Sequence, residues 1–339
     1  MRRLPGECRT RQVLPGRCIP PGNPGGRRNE HPGEHPRGGP MKASTHAEVY
    51  RPFTGELRKH PLRPLTLAWS GIRLGLRKKL PAFLLFTPSL ITALVGAIKV
   101  YLMYSLSEPL KEDGSLAGMQ MTVALQKVLG NVAANVVLFV KTSAYFALLA
   151  MTWFGAGMIA DDRRMGANLL YFSRPLTRGG YLLGKLLGLM FFGLLTLGIP
   201  TFVIVSTAAF ASPDWSFLRF ESEVIWKTAL YASTWILTVS TIVLALSSLV
   251  NRKTLAMTLV FGTIIVLHGA ADVAAELLDI SELKLLSLPY NFEVFADWLF
   301  DQQLSPDADP TRSLIALGIF AGSGMLLLWR NVRKMEVVG

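Results

Sequence analysis

Residues 186–213 read LLGLMFFGLLTLGIPTFVIVSTAAFASP, twenty-eight consecutive positions without a charged side chain. As a helix rising 1.5 Å per residue, such a run exceeds the ~30 Å hydrocarbon core of a bilayer. Five further uncharged runs share the chain: 80–98, 142–160, 228–251, 254–271 and 313–329. One such segment could be a buried helix of a soluble protein, but six in 339 residues are not compatible with one. Lipid offers the backbone no hydrogen-bond partner, so each run must close its own bonds as a helix. The expected fold class is all-α integral membrane. Six spans are placed near 81–105, 132–159, 183–210, 224–250, 254–276 and 312–330, forming a domain over 80–334.

Composition agrees. Half of the residues are apolar and 17% are charged, where a soluble domain carries about 25%. The formal charge of +12 is distributed by topology. Residues 51–79 hold eight Lys or Arg, 161–185 hold five, the 251–254 turn holds Arg252 and Lys253, and the tail holds Arg330, Arg333 and Lys334. The alternate connections are acidic: 272–312 has nine acids against Lys284 and Arg312. Every second connection is basic, which predicts both termini on the cytoplasmic side. The basic balance is thereby explained without nucleic acid. Only Cys8 and Cys18 occur, so neither a disulfide scaffold nor a cysteine-based zinc site is available.

Residues 1–40 contain eight Pro, eight Gly, eight Arg and no Phe, Trp or Tyr. This composition cannot bury a core and predicts disorder. Two readings stand: a flexible tail, or an upstream extension preceding a true start at Met41. Residues 41–79 form a polar, basic lead-in. Over 65–79 it can be drawn as a helix with one apolar side and Arg73, Arg77, Lys78 and Lys79 elsewhere, which suits a cytoplasmic interfacial helix. An irregular lead-in is the alternative.

The most informative connection lies between the second and third spans. It runs GAGMIADDRRMGANLLYFSRPLTRGGYLLGK from Gly155 to Lys185. Asp161 and Asp162 sit where the chain leaves the membrane and could cap a new helix. Residues 163–173 would then form a short basic helix with apolar Leu169, Leu170 and Phe172, ended by Pro175. Such a helix is sized to enter a groove on another protein, or it rests on the membrane surface.

At these residues the chain resembles the type-2 permease family of the ATP-binding cassette exporters. Gly155, Ile159, Asp162, Gly166, Leu169, Ser173, Pro175, Thr177, Arg178, Tyr181, Gly184 and Lys185 carry the likeness. Departures are Asp162 where Glu is commoner, Ala167 after the glycine where Thr or Ser is usual, and Phe172 in place of a second leucine. The resemblance implies that Asp162, Arg163, Gly166, Leu169, Leu170, Tyr171, Phe172, Ser173, Pro175 and Arg178 form a coupling helix that inserts into a separate ATPase subunit. It implies that ATP and magnesium are bound by that partner and not by this chain, and that two permease chains, identical or related, complete the pathway. Residues 277–300 would correspond to a re-entrant or capping element at the outer interface. The implied location is the plasma (inner) membrane of a bacterium, in contact with lipid.

Other residues invite chemistry. Gly179–Leu186 reads GGYLLGKL, one residue from a Walker A loop. Leu186 lacks the hydroxyl that holds magnesium, and the stretch opens a span instead of following a strand. Gly180, Gly184 and Gly188 are better read as a small-residue face that lets a neighbouring span approach closely, or as ordinary glycine usage. Lys141 lies within the second span. It either lines a pathway and favours anions, or snorkels or pairs with a carbonyl. His268, Asp272 and Glu276 share a face of the fifth span and suggest a proton- or metal-sensitive outer gate. One His with two carboxylates is a thin donor set, and no metal site is assigned. No nucleophile motif, zinc-protease motif or dinucleotide fingerprint occurs, and no internal repeat is evident. The expected function is the permease subunit of an ATP-driven exporter. A six-span scaffold without transport and an ion-coupled secondary transporter are the alternatives.

Overall fold

The computed structural model of the chain describes residues 63–77, 79–112, 115–167, 176–220, 222–306 and 308–334. The expectations for 1–40 and 41–62 lie outside them. Among the described residues the secondary structure is helical, with no strand. The helices are α1 (Arg63–Leu76), α2 (Lys79–Glu112), α3 (Leu116–Leu129), α4 (Val132–Arg164), α5 (Arg178–Gly193), α6 (Ile199–Ala211), α7 (Ser216–Phe220), α8 (Glu223–Ser247), α9 (Lys253–Phe261), α10 (Leu267–Leu278), α11 (Leu288–Leu299) and α12 (Pro310–Arg333). Wide π turns at Leu194–Gly198 and Gly262–Val266 join α5 to α6 and α9 to α10. Six segments are long and apolar enough to cross a membrane: Phe83–Leu110, Leu116–Arg164, Arg178–Ala211, Glu223–Ser247, Lys253–Leu278 and Pro310–Arg333.

The spans begin and end close to where the uncharged runs place them, with two differences. The helix of the first span, α2, continues to Glu112, a length of about 51 Å at 1.5 Å per residue. Residues 116–129, expected as part of a connection, form α3. Ser115 caps it by accepting from the Gly118 N–H, and Gly130 closes it at φ 75°. Asn131 then caps α4. Each boundary has a side-chain or glycine device that a hydropathy reading passes over.

The pre-span helix is amphipathic. Pro64, Leu67, Ala68, Gly71, Ile72 and Gly75 are the less exposed positions, and Ala68 and Ile72 are buried. Their spacing is that of one helical face, and it lies on α5. In the bundle itself α4 packs against α2, α5, α8 and α9, while α8 also packs on α12. A single apolar core joins α2, α4, α5, α6, α8, α11 and α12 through residues such as Val100, Met151, Leu189, Ile204, Val243, Phe295 and Leu328. Small side chains bring α4 and α9 together at Ala156, Ala160 and Ala256.

Polar contacts inside the bundle are tied to backbone exceptions. Pro200 has no N–H for the carbonyl of Thr196 four residues earlier. The hydroxyl of Ser89, fully buried on α2, donates to that carbonyl instead. Thr92 and Ser143 join α2 to α4 at 3.1 Å. Ser89→Ala should therefore remove a buried hydrogen bond and destabilise the bundle by about 1 kcal/mol. Adding Pro200→Ala should recover part of the loss by returning an N–H. Thermal unfolding in detergent of the two variants checks both expectations.

Candidate functional site

The basic segments of the sequence meet at one end of the bundle. There α4 runs through Asp161 and Asp162 to Arg164, so the two aspartates occupy its last turn and do not cap a following helix. Nothing in Ala160–Arg164 breaks a helix. Termination falls to Met165 and to Gly166, whose φ of 66° is left-handed. Glycine adopts that conformation without steric penalty.

A carboxylate in the last turn opposes the helix dipole, and Asp162 is also buried, with 8% of its surface exposed. It is compensated from α5. Lys185 Nζ lies 2.7 Å from Asp162 Oδ2, and the Tyr181 hydroxyl donates to the same oxygen at 2.8 Å. Tyr181 is fully buried, and Tyr181 and Lys185 are one helical turn apart on one face of α5. Thr177 caps α5 by accepting from the Gly180 N–H at 3.0 Å. Eighteen residues thus leave α4 and return on α5 inside a loop closed by a buried ion pair and a phenol. Two buried charges gain little net stability from pairing. They do fix which helix ends stay together.

The same end is tied to the other spans. Arg163 Nη1 donates to the Ser248 carbonyl. The Ser247 hydroxyl donates to the Ala156 carbonyl at 2.7 Å and accepts from the Ala160 N–H at 3.1 Å. Asn331 Nδ2 of α12 donates to Ser248 Oγ at 2.9 Å. Lys253 of α9 stands 4.2 Å from the centre of the Trp153 ring, within cation–π range. A displacement of the 163–177 connection would therefore be felt by α4 and α5 directly, and by α8, α9 and α12 through these contacts. Arg178 is exposed at the first position of α5. Leu169, Leu170, Tyr171, Phe172, Ser173 and Pro175 lie outside the described residues.

Compared with protein-family models, residues 65–299 match that of the ABC-2 family transporter proteins. The chain belongs to the ABC-2 transporter family. The match begins in α1, covers the closed loop and ends at the last residue of α11. No curated protein matches the chain. Membership together with the six apolar helices makes it a multi-pass membrane permease subunit, a transport component that is not itself catalytic.

In this ABC-2 permease the glycine face of α5 receives α1, and not a neighbouring span. A Cβ on Gly184 would stand 2.8 Å from the Pro64 carbonyl oxygen, and one on Gly188 would stand 3.5 Å from that of Ala68. Gly180 is 3.5 Å from the Pro64 ring by the same measure. Spacing alone marked the face but could not say which helix fills it. Gly179–Lys185, the segment that resembles a nucleotide loop, is regular helix.

Lys141 does not stand free to attract anions. Its ammonium lies 2.7 Å from Asp297 and 3.3 Å from Glu293, both on α11. Neither a carbonyl contact nor snorkelling accounts for it. Lys227 of α8 is held in the same way by Asp301 at 2.5 Å and Glu223 at 3.3 Å. The acidic end of the bundle thus docks α11 and its exit on two span lysines. The sequence reading missed Glu293 and Asp297. Their signal was two carboxylates one turn apart on an apolar helix whose other residues, Phe292, Phe295 and Ala296, are buried.

His268 serves the same element. Its Nδ1 lies 2.7 Å from the Ser287 hydroxyl and 3.3 Å from Asp272. Ser287 in turn caps α11 by accepting from the Tyr290 N–H at 3.2 Å. Glu276 is exposed. Among the described residues no three His, Cys, Asp or Glu side chains gather as a metal site.

Proposed function

We propose that this chain is the permease subunit of an ATP-driven exporter and moves its substrate by alternating access. The 162–178 segment is its coupling element. A separate ATP-binding cassette ATPase, carrying the ATP and magnesium, covers the apex of the loop, and two permease chains build the pathway. Both termini and the loop face the cytoplasm, and the chain resides in the plasma (inner) membrane among lipid.

The observation that supports this reading is the clamp of Asp162 on Tyr181 and Lys185. Closing the loop at its base makes its two helices one lever. A push on the apex turns α4 and α5 together and does not pry them apart. A scaffold without transport has no need of a buried charge in the last turn of a span. Family membership and the alternation of basic and acidic connections favour the same assignment. The test is purification of the tagged chain from its native membrane with identification of bound subunits. An ATPase with a complete Walker A loop should co-purify; a chain recovered without one speaks against the proposal.

A further inference from the structure

At the acidic end of the bundle the second, fourth and fifth spans and α11 line a half-open cavity of about 290 Å³. Tyr145, Tyr231, Trp235 and Phe292 supply aromatic walls, and Lys141 and Glu293 line one side. The rings form a connected cluster: Tyr231 and Phe292 meet edge to face at 6.1 Å, and Trp235 and Phe292 lie 6.2 Å apart. The size is near the lower end of small-molecule sites, and mostly apolar lining with a few polar groups is their usual composition.

The charges are unequal. One ammonium faces two carboxylates, and no other basic side chain pairs with Glu293 or Asp297 among the described residues. Lys141 is held most closely by Asp297, at 2.7 Å, and Asp297 does not line the cavity. Glu293 does, and it remains 60% exposed. The cavity therefore carries, at its open side, a carboxylate that is only partly neutralised, and it shares its lining with four aromatic rings beside a span where an uncompensated charge is costly. Ring faces attract alkylammonium groups, whose charge is spread over weakly hydrated methyls. They offer no oxygen ligands to a hydrated metal ion, which prefers those.

We propose that this cavity binds a small apolar organic cation, a quaternary or alkylated ammonium, with Glu293 as its counter-ion and Tyr145, Trp235 and Phe292 as its walls. The proposal deepens the permease reading by naming the cargo class, and for that cargo role it rests on that reading. Binding itself needs neither ATP nor the ATPase.

The experiment uses the full chain in lipid nanodiscs and two probes of one shape. Benzyltrimethylammonium carries the charge; neopentylbenzene, with carbon in place of nitrogen, does not. Affinity is read by tryptophan fluorescence and calorimetry. The cation should bind at least tenfold tighter than its neutral twin. Glu293→Gln should remove most of that preference. Tyr145→Leu should weaken the cation several-fold, and Tyr145→Phe should leave it unchanged. Equal binding of both probes would reveal a plain apolar cavity and overturn the proposal, as would no binding of either. These failures would leave co-purification of an ATPase untouched. Loss of the ATPase partner with intact cation binding would instead remove the permease reading alone.

Discussion

Lys185→Met should strip the Asp162 carboxylate of its charge partner and destabilise the permease by about 3–5 kcal/mol, the usual consequence of breaking a buried pair from one side. Asp162 would remain in the last turn of α4, against the helix dipole, with the Tyr181 hydroxyl as its remaining side-chain partner among the described residues. Adding Asp162→Asn removes the stranded charge. The amide oxygen can still accept from Tyr181, so the double variant should regain most of the lost stability. Thermal unfolding and membrane yield of the single and double variants measure this. If Lys185→Met alone melts like the parent protein, the pair is solvated and the clamp is not a structural unit. The recovered double variant should remain impaired in transport, because neutral side chains no longer fix the base of the loop.

The second large effect belongs to the apex. Replacing Leu170, Tyr171 and Phe172 with Asp should abolish co-purification of the ATPase while the six-helix bundle keeps its melting temperature. A negative charge placed in an apolar docking groove is both desolvated and unpaired, and one such residue can remove several kcal/mol of binding. The contrast with the clamp variants is diagnostic. Base mutations should change stability or transport while the ATPase stays bound, and apex mutations should act through partner binding alone. Unchanged ATPase recovery and turnover in the triple Asp variant would remove the coupling role from this segment.

The parts of the fold that were legible in the sequence are those governed by absence of charge. Leu186–Pro213 and its five counterparts had no option but to be helices, and the structure places a span on each. What hydropathy could not give were elements fixed by local devices. α3 depends on a Ser115 cap and a positive-φ Gly130, within a stretch that carries one Lys and looks like a connection. Asp162, Tyr181 and Lys185 were each marked by the family likeness. Their meeting depends on α4 continuing one turn further than the aspartates suggested. Tyr181 and Lys185, spaced by four, did offer a clue that they share a face. Lys141 stood out at once as a charge in a span, but its partners are more than 150 residues away in the chain. No local pattern ties them to it. The glycine face of α5 was visible and its occupant was not, because α1 and a true span are both amenable to the same close approach.

The side of the membrane from which the loop can be reached tests the account most directly. Ala167, beside the left-handed Gly166, can be changed to Cys in a chain whose two native cysteines, Cys8 and Cys18, are replaced by Ser. A membrane-impermeant thiol reagent should label this position in inside-out vesicles, fail to label it in right-side-out vesicles, and lose access when the ATPase is bound. Labelling from the outer face, or equal labelling with and without the ATPase, would contradict the account.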